Sequence, residues 1–186
     1  LDYFKENYDG ALVNMPFVNS PINITRVEVW VTNKTGTTND TRNIVSFLDL
    51  GETNGNIYNT QFTLSNGGIY PDNNAANDMF ESLTNQFNGI RDINEVNSIL
   101  SSQIGIGFLN GQDYEKLERA RKLNEQEYSI HPKLGYISLN QALNNDEVLA
   151  VSYQYTYKGE TYQVGEFSTD GVTGQDALFL KLLKST

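Results

Sequence analysis

The side chains able to do chemistry are few in this chain of 186 residues. Its one histidine, His131, stands directly before Pro132 in a turn, a setting in which an imidazole is usually structural. Cysteine is absent, so there is no thiolate nucleophile, disulfide or thiolate metal ligand, and a zinc site would rest on carboxylates almost alone. No Gly-x-Ser-x-Gly elbow, Gly-x-x-x-x-Gly-Lys loop or His-Glu-x-x-His helix occurs. Gly105 and Gly107 open a dinucleotide-like spacing, but Asn110 stands where its third glycine belongs, and a helical segment precedes it instead of a strand. The run from Asp72 to Asp78 offers oxygen ligands at positions one and three of a calcium loop, then fails at five (Ala76) and lacks the glycine at six, so it reads as a helix start. A carboxylate pair for glycoside chemistry would need two acids converging about 5 to 10 Å apart, which no spacing in the sequence favours. The expectation is no catalytic residue, no metal and no cofactor. The candidate binding residues are aromatic: Trp30, Tyr153, Tyr155 and Tyr162, with Tyr157 beside them. They supply either core and cross-strand packing or a platform for sugars or proteins.

These side chains must be held by strands. In Arg26–Thr32, Val27, Val29 and Val31 alternate with polar residues, which puts Trp30 on the opposite face, under another layer or against a partner. Residues 33–42 read as a Thr- and Asn-rich mobile loop, and Asn43–Leu50 as a strand buried on both sides and stopped by Gly51. The period then changes. Ala76, Met79, Phe80, Leu83 and Phe87 form a helical stripe within 72–89, started by Pro71 with Asp72 and stopped by Gly89. A second helix is expected over Asp92–Leu100, with Asp92 and Glu95 spaced as a capping box. Residues 101–111 read as a loop or joint. Asp113–Leu123 is ambiguous, because Leu117, Ala120 and Leu123 suit a helix while the neighbourhood suits a sheet. Glu127–His131 and Tyr136–Asn140 flank a turn at Pro132–Gly135. A two-residue turn at Lys158-Gly159 sets Tyr157 opposite Glu160, Tyr155 opposite Tyr162 and Tyr153 opposite Val164. Ala177–Leu183 closes the chain as a buried strand.

Composition sets the outer bounds. Thirteen basic residues against 23 acidic ones give a net charge of -10, which disfavours a phosphate-backbone partner and suits solubility. No apolar run approaches the ~20 residues of a membrane helix. The opening Leu1-Asp2-Tyr3-Phe4, without a signal peptide, reads as the interior of a longer protein. Asn23-Ile24-Thr25, Asn33-Lys34-Thr35 and Asn39-Asp40-Thr41 match the glycosylation acceptor pattern, as chance allows in so Asn- and Thr-rich a chain. The fold class expected is α+β, predominantly antiparallel and sandwich-like, with a helical insertion around 72–100. It is read as one segment, with a joint that would divide it into 1–104 and 112–186.

Two blocks carry a resemblance. One runs from Ile24 to Asn33 and on through Arg42–Val45 and Phe47–Glu52. The other comprises Leu117–Leu123, Leu134–Asn140, Leu143–Val151 and Tyr162–Phe167, joined by the ending Leu178–Lys184. Both resemble the SprA (Sov) family of gliding-motility and type IX secretion proteins. The resemblance implies a very large outer-membrane β-barrel parent through which cargo reaches the cell surface. It implies secreted cargo and accessory translocon proteins as partners, alongside the rest of the parent barrel. Because ~10-residue lipid-facing strands do not recur here, the segment is expected on an aqueous side, periplasmic or extracellular, without itself spanning the membrane. The family brings no catalytic motif. The competing expectations are a calcium- or glycan-binding surface module and a carboxylate hydrolase. The charge run Glu118-Arg119-Ala120-Arg121-Lys122 reads as a solvated face or a contact surface.

Overall fold

The computed structural model describes residues 2–52, 71–87, 89–102 and 108–186. The loop expected around Gly105 and Gly107, and Asn88 at the end of the expected first helix, lie outside the described residues. The described elements are α1 (Asp2–Leu12), β1 (Ile22–Val31), β2 (Thr41–Phe47), α2 (Met79–Asn85), α3 (Val96–Ser102), β3 (Tyr114–Lys122), β4 (Tyr128–His131), β5 (Tyr136–Leu139), β6 (Leu149–Tyr157), β7 (Glu160–Val164) and β8 (Leu178–Lys184).

Five strands close on themselves. β1 pairs with β3, β3 with β2, β2 in parallel with β8, β8 with β6, and β6 back with β1 along nearly its whole length. The far half of β6 pairs with β7 where β8 has left it, so β7 extends the barrel wall. The mostly β, α+β expectation holds at that level. The finer, sandwich-like arrangement meets a sheet in which five strands close into a barrel, with β7 as an edge strand on β6. Strands from both sides of residues 104–112 contribute to it.

Strand alternation fills the inside. Trp30, Ile44, Leu117, Ala120, Ala150, Leu178, Leu180 and Leu182 form one buried cluster. The alternate residues Val45, Phe47 and Phe179 face outwards, under Met79 and Leu83 of α2 and Val96, Ile99 and Leu100 of α3. On another side Val29, Val31 and Val151 lie under Ile137 and Leu139 of the β4–β5 hairpin. This explains why β2 is apolar at both parities: one face lines the barrel and the other seats the helices. Among the described residues no helix is long and apolar enough to cross a membrane.

Several expectations meet corrections. The first helix starts at Met79, because the preceding polar side chains take up the backbone: Asn73 Oδ1 accepts Ala75 N–H (2.7 Å) and Asn77 Oδ1 accepts Met79 N–H (2.9 Å). The second begins at Val96, and Asp92 Oδ1 binds Asn94 N–H (2.9 Å), not the reciprocal partner of a capping box. The ambiguous 113–123 segment is β3. Its helix-like step from Leu117 to Ala120 comes from a β-bulge: Arg42 pairs with Ala120 and Ile44 with Leu117, so Asn43 alone opposes Glu118 and Arg119. Helix α1 is an element no apolar period announces.

Candidate functional site

The interior carboxylates are bound into the fold. Glu28, 3 % exposed, accepts Ser168 N–H (2.9 Å) and Oγ–H (3.0 Å), Arg26 Nη2 (3.0 Å) and Lys122 Nζ (2.7 Å). Burial alone would raise its pKa, but the hydrogen bonds and charge of Lys122 and the Ser168 donors outweigh it and hold the carboxyl below the ordinary value of 4.5. Arg26 also lies over the Phe167 ring at 3.8 Å, so the loop after β7 is pinned across one end of the barrel. Glu166 accepts both Nη atoms of Arg91 (2.9 and 2.6 Å) and the N–H of Phe179 (2.9 Å), tying the α2–α3 region to β8. Glu52 pairs with Lys181 and accepts Leu50 N–H (2.8 Å). Each of these three acids meets a cation and a backbone donor, an arrangement that fixes conformation.

The aromatic candidates are placed by the same alternation. Trp30 is 1 % exposed inside the barrel, with Lys122 Nζ 5.8 Å from its ring. Its Nε1–H has no partner among the described residues, nor has the Ser152 hydroxyl, which stands across from Glu28 in the β1–β6 ladder. Tyr155 is fully buried, donates its hydroxyl to Asp72 O and stacks at 5.5 Å on the half-buried Tyr162. Tyr153, also half-buried, stacks on Tyr155 at 6.3 Å. Three of the four therefore share one stack on the barrel's outer wall, and Trp30 lies apart from them. His131 closes its turn: Leu134 N–H donates to Nδ1 at 3.1 Å. Among the described residues no three of His, Cys, Asp and Glu gather as a metal site.

The charge run of β3 resolves unevenly. Glu118 pairs with Lys116 (3.1 Å), Arg121 binds Glu127 through both carboxylate oxygens (2.7 and 2.8 Å), and Lys122 pairs with Glu28. Arg119 is left. Its guanidinium makes no hydrogen bond or ion pair with the described residues, and its φ is +52°, a left-handed conformation that costs a residue with a Cβ about 1–2 kcal/mol. The bulge holds it there, because Asn43 Oδ1 accepts the Arg119 N–H (3.0 Å) while Asn43 Nδ2 donates to Gln175 O (3.1 Å). Among the described residues the other two non-glycine residues with positive φ, Asp40 and Lys158, lie in turns, and Arg119 alone of the three sits within a strand.

Arg119 lines a polar basin of about 500 Å³, shared by Thr41, Arg42 and Asn43 of β2, Asp92 and Asn94 before α3, and the loop 174–176 before β8. Arg42 is anchored at its edge by the carbonyls of Val172 (3.0 Å), Thr173 (2.7 Å) and Asp176 (3.3 Å). The charge run reads in sequence as a solvated face or a contact surface; what sequence could not single out was which of its charges has no partner among the described residues. The odd three-residue step from Leu117 to Ala120 was the available signal for the bulge. Compared with known proteins, the chain matches no family model, and no curated protein matches it.

Proposed function

We propose that this chain is a non-catalytic structural and interaction segment of an SprA-type outer-membrane translocon, acting in type IX protein secretion and gliding motility through its parent. The observation that carries the contact reading is the division of charge. The buried acids Glu28, Glu52 and Glu166 hold loops and helices to the barrel, while Arg119, without a side-chain partner among the described residues, is presented by a strained bulge. The assignment to a translocon is supported by the resemblance, whose blocks coincide with β1, β2, β3 and the run from β5 to β8. In this reading the parent resides in the outer membrane and this segment works on an aqueous side of it. Its partners are cargo, accessory translocon proteins and the rest of the parent barrel; the charge of -10 argues against nucleic acid. The filled interior fits a rigid spacer and not a conduit. A sandwich-like shape enters only as a flattening of this barrel, β1 and β6 facing β2, β3 and β8 across the core.

In-frame removal of the segment from the parent gene tests the proposal. Cargo should vanish from the medium and gliding should stop while the parent's membrane level persists; normal secretion and gliding would overturn it. Turnover of a glycan, peptide or ester by the purified chain, abolished by a point change, would equally exclude the non-catalytic part. One observation favours a second reading, a glycan-binding surface module. The basin is rimmed by Asp92, Asn94, Arg119 and Gln175, planar polar side chains that suit pairs of sugar hydroxyls. Saturable binding of neutral disaccharides, against none of an acidic peptide, would select it.

A further inference from the structure

We propose that the Arg119 basin is a docking site for a single acidic side chain on an extended segment of a partner protein, with the partner's Asp or Glu carboxylate gripped by the Arg119 guanidinium. The inference rests on the reading that this segment works by contact, but not on the identity of its parent.

Three observations converge on Arg119. Of the five arginines it is the one whose guanidinium makes no hydrogen bond or ion pair with the described residues. Arg26 and Arg91 are paired with Glu28 and Glu166, Arg121 with Glu127, and Arg42 with backbone carbonyls. Its backbone sits at φ +52° within a strand, at a bulge where the Asn43 side chain accepts the Arg119 N–H and donates to Gln175 O. It is exposed and opens on a basin of about 500 Å³.

The lining then selects the ligand. The acids in the basin already hold donors: Asp92 Oδ1 accepts Asn94 N–H (2.9 Å) and Nδ2 (3.0 Å), and Asp176 Oδ2 accepts the Thr173 hydroxyl. What lacks a partner is the donor fork of Arg119, and the acceptor that matches a planar fork with two parallel bonds is a carboxylate. Asp92 and Asp176 balance the charges of Arg42 and Arg119, so the basin has no net charge, and an incoming monoanion meets less like-charge repulsion there than a phosphate, a sulfate or a run of acids. One carboxylate fills a small part of the space. Thr41, Asn94 and Gln175 around it carry the hydroxyl and amide groups that bind the main chain of an extended peptide. The result is an acidic residue read by Arg119 and a flanking backbone read by the amides.

Titrating the isotope-labelled 186-residue chain with the blocked peptide Gly-Ser-Glu-Ser-Gly, its Gln counterpart and sodium acetate, by nuclear magnetic resonance, tests this. The Glu peptide should shift the amide signals of Asn43, Asn94, Arg119 and Gln175 saturably, and the Gln peptide should bind at least about tenfold more weakly. Arg119→Gln should weaken the Glu peptide by about the same factor, and Arg119→Lys should restore only part, because an ammonium lacks the fork. Arg119→Gly should lose the peptide while melting no lower than wild type, which separates lost binding from lost folding. The proposal is overturned if no signal saturates, if the Gln peptide or the Arg119→Gln variant binds as tightly, or if acetate reproduces the whole response, the mark of an adventitious anion only. Such a failure leaves the gene-excision test of the secretion role untouched, and a failed excision test leaves the peptide titration standing.

Discussion

Glu28 and Ser152 face each other across the β1–β6 ladder and show opposite uses of buried polarity. Glu28 has four donors; the Ser152 hydroxyl has none among the described residues. Glu28 is buried while Arg26 and Lys122 reach solvent, so Glu28→Gln loses charge-assisted hydrogen bonds without burying a lone cation and should cost about 2 kcal/mol in unfolding by denaturant. Removing a hydroxyl that bonds nothing strands no partner, so Ser152→Ala should lie within about 1 kcal/mol of wild type, on the stabilising side. A loss of stability as large as that of Glu28→Gln would show that Ser152 has a partner after all. Arg119 is the third case. Glycine carries no left-handed penalty, so Arg119→Gly should stabilise by up to about 1 kcal/mol. A destabilisation of that size would mean the side chain supports the fold instead.

Elements were legible where one period ran unbroken. The Lys158-Gly159 hairpin has the register that turn chemistry and alternation require, Tyr157 to Glu160, Tyr155 to Tyr162 and Tyr153 to Val164. Both the β4–β5 hairpin and β8 lie where their residues place them. Legibility failed where a local hydrogen bond overrode the period. Asn73 and Asn77 delay α2, and the bulge opposite Asn43 gives β3 a false helical step. The candidate site suffered most, since a basin joining β2, the turn before α3 and the loop before β8 is written in no single stretch of chain. Gly51 is the joint on which the helical layer depends. At φ +79° a Cβ there would come within 2.3 Å of Asn77 Oδ1 and 2.7 Å of Met79 Cβ. Gly51→Ala should therefore cost about 2–4 kcal/mol from crowding and backbone strain together, and should increase hydrogen exchange in α2 before β1 and β6. Uniform exchange across the barrel would contradict that order.

At the scale of the whole molecule, the closed ring converts local pairs into one cooperative unit. Trp30 fills its centre, and Trp30→Ala should cost about 3–5 kcal/mol and lower the single melting transition instead of splitting it. The buried ionisable groups hold the ends and the helical layer of this barrel together. The lowered pKa of Glu28 gives that claim a sign. Its contribution is complete above the ordinary carboxylate value of 4.5 and is lost as the pH falls below that value through the folded-state pKa. Other carboxylates, and the relief of self-repulsion in a chain of charge -10, act on both proteins alike, so the comparison of wild type with Glu28→Gln isolates the group. The decisive measurement is the unfolding free energy of both proteins from neutral pH to about pH 3, a window set by that linkage. Wild type should exceed the variant by a constant margin down to the ordinary carboxylate range, and the margin should then shrink. A margin that is absent at neutral pH, or that widens on acidification, would contradict the account.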